Sequence, residues 1–136
     1  DLWDTYLPAF EQCVTEGQVE AVMGAYNRVG GEPCCGSQTL LRGILRDKWG
    51  FQGHVVSDCW AIRDFHEHHC VTKTPEESAT LALKAGCDMV LMPENFEEAY
   101  EAVLGAVRDG TISEERVNDA LRRIYRIKCA DRLEQG

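Results

Sequence analysis

The 136-residue chain predicts an α/β fold, a partial (β/α)8 TIM-type barrel of about three parallel βα units from its second half. Three observations predict it. Apolar runs recur at "VEAVMGAY" (19–26), "HVVS" (54–57) and "DMVLM" (88–92), with 33 residues from Val22 to Val55 and 34 from Val56 to Val90. That spacing suits βα units, which need ~30 or more residues each. The runs are continuous rather than alternating, as expected of strands buried on both faces. Between and after them lie helical patterns with readable ends.

In chain order, a helix comes first and the run at 19–26 is the first strand. Ser37 caps "SQTLLRGILRDKWG", whose Leu40, Leu41, Ile44 and Leu45 share one helical stripe. After the second strand, "TPEE" offers Thr74 as N-cap, Pro75 at the first helical position and Glu77 closing a capping box. Gly86 sits where that helix needs a C-terminal cap, just before the third strand. Phe96, Tyr100, Val103, Leu104 and Val107 form the next stripe. A last helix carries Val117, Ala120, Leu121, Ile124 and Ile127, with Arg122, Arg123, Arg126 and Lys128 toward its negative end. No linker interrupts this order, so residues 1–136 read as one unit. A whole barrel takes ~250 residues, which makes the unit the C-terminal portion of a barrel domain, with the remaining barrel and any following domain outside it. Three parallel strands leave two open edges, and the chain is expected to associate through them, as a homodimer or otherwise.

Composition excludes several classes. The net charge is −9 and no basic cluster occurs, which argues against nucleic acid and anionic membrane surfaces as partners. No segment approaches the ~20 apolar residues of a membrane span, and "DLWDTYLPAF" is not a secretion signal. The seven cysteines are odd in number, irregular in spacing and without a C-x-x-C pair. They read as reduced thiols in a reducing compartment, the cytoplasm. "FHEHHC" (65–70) offers His66, His68, His69 and Cys70 as metal ligands, but neighbouring residues point different ways and no second cluster completes a tetrahedron. The reading is therefore no metal and no cofactor, with the segment a loop that brings one histidine near the ligand. Cys34 and Cys35 read as loop packing.

Active sites of such barrels lie at the C-terminal ends of the strands. The candidates are Tyr26, Asn27 and Arg28, then Asp58, Cys59 and Trp60, then Met92 to Asn95. In "GHVVSDCWAI" (53–62) an apolar strand runs straight into an acid with an aromatic two residues on. A carboxylate can attack or stabilise an anomeric centre, while an aromatic covers the apolar face of a sugar. On spacing alone Asp58 is equally an N-cap or turn residue. Arg28 meets either a ligand hydroxyl or a neighbouring acid.

"ILRDKWGFQGHVVSDCWA" (44–61) resembles the active-site signature of glycoside hydrolase family 3. "DTYLPAF" (4–10) and "VMGAYNRVGGEPCCGSQTLL" (22–41) resemble the segments that precede it in bacterial β-glucosidases and β-xylosidases. "KAGCDMVLMPENFEEAYEAVLGAVRDGTISEERV" (84–117) resembles the family's barrel end, in a form nearer its β-N-acetylhexosaminidase branch. The resemblance makes the compartment a bacterial cytoplasm and implies hydrolysis of terminal non-reducing β-D-glycosidic bonds in a small β-glycoside or oligosaccharide. The route would be a retaining double displacement with Asp58 as nucleophile. It implies that the Tyr26 hydroxyl sits beside that carboxylate and that Met23, Cys59 and Trp60 line the same sugar site. Cys59 stands where tryptophan often follows the nucleophile, a choice similar to the xylosidase-leaning members. His54 and "RVGG" also depart from the family's pattern. The family's upstream Lys-His pair and its general acid/base fall outside this chain. Two alternatives accompany the reading, the hexosaminidase branch and a non-catalytic half-barrel.

Overall fold

The computed structural model describes residues 1–93 and 95–133. Its mixed helix and sheet architecture agrees with the predicted α/β class. A π-wound turn, Leu2–Tyr6, leads into α1 (Leu7–Thr15), with a proline in the first turn, where its missing N–H has no partner to lose. β1 (Ala21–Gly24) follows. An unforeseen hairpin joins β2 (Arg28–Val29) to β3 (Glu32–Pro33) across Gly30 and Gly31. Both glycines have positive φ, 59° and 90°, the conformation that a tight two-residue hairpin loop demands.

The helix expected after Ser37 is present as Thr39–Lys48, again π-wound. The Leu40 N–H donates to Ser37 Oγ at 3.1 Å, so Ser37 does cap its first turn. β4 (His54–Ser57) pairs in parallel with β1, with Val22 opposite Val55 and Gly24 opposite Ser57. A short helix, α2 (Asp64–Glu67), lies in the loop that follows. α3 (Pro75–Ala85) starts as its sequence indicates: Thr74 accepts the Glu77 N–H, and the Glu77 carboxylate reaches back to the Lys73 N–H at 2.8 Å. It ends on Gly86 at φ 127°. α4 (Phe96–Arg108) and α5 (Glu114–Leu133) complete the order.

Two expectations need correction. Residues 88–92 do not form a third strand; they contribute one parallel bridge, Met89 to Val56. Nothing among the described residues pairs on the outer side of that segment. Beyond the bridge the Leu91 N–H turns to Ser57 Oγ at 2.9 Å and Met92 takes a φ of 50°. The stripe at 96–107 is not all core either. Phe96 and Tyr100 stack on each other in solvent, 72% and 56% exposed, while Ala99 and Ala106 turn inward. α3 also buries small residues, Ser78, Ala79, Ala82 and Ala85, and α3 and α4 pack together through these faces. Small side chains let the two helices approach closely, which a Phe–Tyr interface would prevent.

The core lies on one side of the β1–β4 pair, around Cys35, Leu45, Val55, Phe65, Ala82 and Cys87. Met23, on the other side, is exposed, so these strands are covered on one face only. At the start of the missing third strand, Asp88 is fully buried among guanidinium groups. Arg46, Arg116 and Arg123 each approach its carboxylate at 2.9 Å, and the Val55 N–H donates to it as well. Arg123 thus answers a buried acid rather than the end of its own helix.

Candidate functional site

Gly24 and Ser57 end their strands in register, so the residues after them emerge side by side. The Asp58 N–H extends the pairing one step, donating to the Gly24 carbonyl at 3.3 Å. Beyond it the chain makes a turn closed by Ala61 N–H to the Asp58 carbonyl at 3.2 Å. Inside that turn Trp60 holds a φ of 65° and is 41% exposed. Such a backbone is uncommon outside glycine and tends to persist where surroundings enforce it. Its ring lies 5.9 Å from the Arg63 guanidinium.

Asp58 Oδ1 accepts the Cys59 N–H at 2.7 Å. The Tyr26 hydroxyl, arriving from β1, donates to the Cys59 carbonyl at 2.5 Å. Partial loss of water and then the nearby charge of Asp58 hold Tyr26 above its ordinary pKa. The hydroxyl therefore keeps its proton and remains a donor across the neutral range. Tyr26, Asp58 and Cys59 are brought together, with the Cys59 side chain exposed.

The other candidates take these places. Met23 lies opposite Val56 with an exposed side chain, one residue short of the strand end. Arg28 donates to the His69 carbonyl at 3.4 Å, so its partner is a backbone group. Asn27 bonds the Arg28 carbonyl. Met92 is half-exposed, and Asn95 caps α4 through the Glu98 N–H; Glu94 falls outside the described residues.

The three histidines of "FHEHHC" diverge. His66 Nδ1 meets Ser78 Oγ at 3.1 Å, His68 Nδ1 meets Asp64 at 2.7 Å, and His69 Nε2 meets the Tyr26 carbonyl at 2.8 Å. Among the described residues no three His, Cys, Asp or Glu side chains gather as metal ligands would. His69 was legible only as one of a group. Nothing in its spacing shows that it crosses to a loop 43 residues earlier.

All seven cysteines carry free thiols. Burial pushes the Cys35 thiol up to about 11 and the Cys87 thiol up to about 12. No described helix is long and apolar enough to cross a membrane.

Known proteins match this frame. The family model described as the glycosyl hydrolase family 3 N terminal domain matches residues 1–127. The chain is 44% identical over 118 residues to a xylan 1,4-β-xylosidase of Xylanibacter ruminicola, covering 87% of this chain and 13% of that protein. It is 42% identical over 121 residues to a β-xylosidase/α-L-arabinofuranosidase of Medicago sativa, covering 89% of this chain and 15% of that one. A β-glucosidase structure from Listeria innocua superposes with a TM-score of 0.84 at 28% identity, covering 93% of this chain and 17% of that one. The same enzyme has been solved with glucose and, as a mutant, with laminaribiose. The chain thus spans about one seventh of the length of the curated relatives it matches. On the family match across 127 of its residues, this chain belongs to glycosyl hydrolase family 3, within the N-terminal domain of that family.

Proposed function

We propose that this chain is the nucleophile-bearing later portion of a partial (β/α)8 barrel, in a retaining exo-β-glycosidase. Asp58 would attack the anomeric carbon of a terminal β-xyloside or β-glucoside. The observation that carries the reading is the Asp58 carboxylate at a parallel strand end, with the Tyr26 hydroxyl bonded to the carbonyl of the next residue, Cys59. In a double displacement the ionised carboxylate displaces the aglycone, which leaves with a proton from the general acid/base. The resulting glycosyl ester is cleaved by water, which gives a proton back to that group and frees the carboxylate. The second carboxyl of such a pair stands ~5–5.5 Å from the nucleophile. The nearby Asp64 is engaged with His68 and is not assigned that role. The general acid/base is placed in the parent protein outside residues 1–136, and this chain alone is expected to be inactive. Relatives named β-xylosidases and the Cys59 that follows Asp58 favour the xyloside.

The test uses the full-length parent with aryl β-xyloside and aryl β-glucoside. Turnover should fall at least about a thousandfold in Asp58→Asn, the scale on which removing a covalent nucleophile acts. A 2-fluoro glycoside should label the peptide containing "VVSDCW". A label on any other carboxylate refutes the assignment.

A further inference from the structure

We infer that His69 is a positioning residue for Tyr26, holding the tyrosine main chain so that its hydroxyl meets the Asp58–Cys59 turn. The inference rests on the nucleophile assignment above and adds a residue to it. Tyr26 is 45% exposed, so packing alone does not confine it. Its aim depends on where the backbone puts Cα.

Each carbonyl of that segment has a donor. Gly24 accepts from the Asp58 N–H at 3.3 Å and Asn27 from the Cys34 N–H at 3.0 Å. Ala25 accepts from the Cys35 thiol at 3.7 Å, a weak bond. The Tyr26 carbonyl receives His69 Nε2 at 2.8 Å, the shortest of the four. A carbonyl only accepts, so Nε2 carries the proton. The link is reciprocal, because Arg28 Nη1 donates to the His69 carbonyl at 3.4 Å. The loop after β4 thereby grips the segment after β1 on both sides of Asn27, and Tyr26 returns the contact through its hydroxyl to Cys59. Without His69, the carbonyl next to the working side chain loses its strongest tether.

The experiment compares His69→Ala, His69→Gln, Tyr26→Phe and the double variant His69→Ala/Tyr26→Phe in the full-length parent, with Asp58→Asn as control. The readouts are kcat/KM on an aryl β-xyloside and the rate of inactivation by a 2-fluoro xyloside. Misplacing a reacting group by an ångström costs up to about a hundredfold, so His69→Ala should lose about 10- to 100-fold in both. His69→Gln places a side-chain N–H at similar reach and should recover most of that loss. In the Tyr26→Phe background, His69→Ala should add almost nothing, because the two act as a unit. Full loss in that background, equal activity of Ala and wild type, or equal damage from Ala and Gln would each overturn the inference. So would loss of the folded enzyme in both His69 variants, which would make His69 a folding residue. An inactive Asp58→Asn beside a fully active His69→Ala sinks only this inference. An active Asp58→Asn sinks the nucleophile reading with it.

Discussion

Asp58 and Tyr26 were legible as residues because each stands directly after an apolar run, and a strand end is where a barrel exposes its chemistry. Their meeting was legible only through the family resemblance, since no local spacing relates positions 32 residues apart. His69 was not legible at all in its role, because its partner is a backbone carbonyl and any residue supplies one. The Tyr26 hydroxyl is expected to matter as a donor. Tyr26→Phe in the parent should lower kcat/KM about tenfold or more, the usual scale for a lost transition-state hydrogen bond. The wild-type pH profile should show no loss from Tyr26 deprotonation below about pH 10, because its pKa is raised from the ordinary tyrosine value. A basic limb that disappears in Tyr26→Phe at neutral pH would contradict this. The thiols divide in the same way. Cys34, Cys35 and Cys87 are buried with raised pKa values, whereas Cys13, Cys59, Cys70 and Cys129 are exposed. Brief alkylation of the native chain at pH 8 should mark the second set only, as peptide mass spectrometry would reveal. Folded thiol pKa values above the unfolded value give stability that is complete below about pH 9 and lost as pH rises through about 11 to 12 for Cys35 and Cys87.

At the scale of elements, starts and stops were the readable part. Thr74, Pro75 and Glu77 open α3, Gly86 closes it and Ser37 opens the helix before β4, because caps satisfy donors and acceptors within a few residues. The failures are tertiary. The run at 88–92 has the composition of a strand but only one neighbour to pair with, and Phe96 and Tyr100 have the spacing of a core stripe on a helix that packs through alanine. Asp88 was read as the first residue of that strand. An acid opening an apolar run does ask for partners, and they come from two separate helices: Arg46 from Thr39–Lys48, and Arg116 and Arg123 from α5. The cluster ties the end of the Thr39–Lys48 helix and the first half of α5 to the base of β4. Asp88→Asn keeps the shape but leaves three guanidinium groups against a neutral amide. Breaking a buried ion pair from one side costs about 3–5 kcal/mol, and a fold of ordinary stability has only about 5–15. The Asp88→Asn chain is therefore expected to lose most of its stability to urea, whereas Asp119→Asn, whose carboxylate meets Arg122 on the surface, should change it by about 0–1 kcal/mol. Equal midpoints for the two variants would show that the arginine cluster contributes little.

For the whole molecule, the α/β class and the succession of two parallel strands with their helices were open to sequence reasoning, because both follow from the period of apolar runs. What covers the sheet was not, since the spacing of apolar runs reports which segments pair and not what packs over them. The consequence can be put as area. A folded monomer of 15.3 kDa is expected to expose about 7,100 Å². This chain exposes 8402 Å². The excess is roughly 1,300 Å², more than the ~800 Å² that one partner buries in a standard interface. The apolar side chains in it include Trp3, Tyr6 and Phe10 on the first helices and Met23 on the uncovered face of β1. β1 is also an edge strand, paired only with β4 among the described residues, and within Ala21–Gly24 it carries no charge or proline to block another strand. The isolated 136-residue chain is therefore proposed to associate through that edge and face, as a dimer of half-barrels in the simplest case. Light scattering across a hundredfold range of concentration should show the mass rising above 15.3 kDa, and Met23→Lys, placed on the uncovered face of the edge strand, should shift it back toward the monomer. The full-length parent, whose own preceding strands would cover β1, should not share that concentration dependence. A cooperatively melting monomer of the isolated chain at every concentration would mean that an uncovered face of this size is tolerated in water, and would remove the case for association.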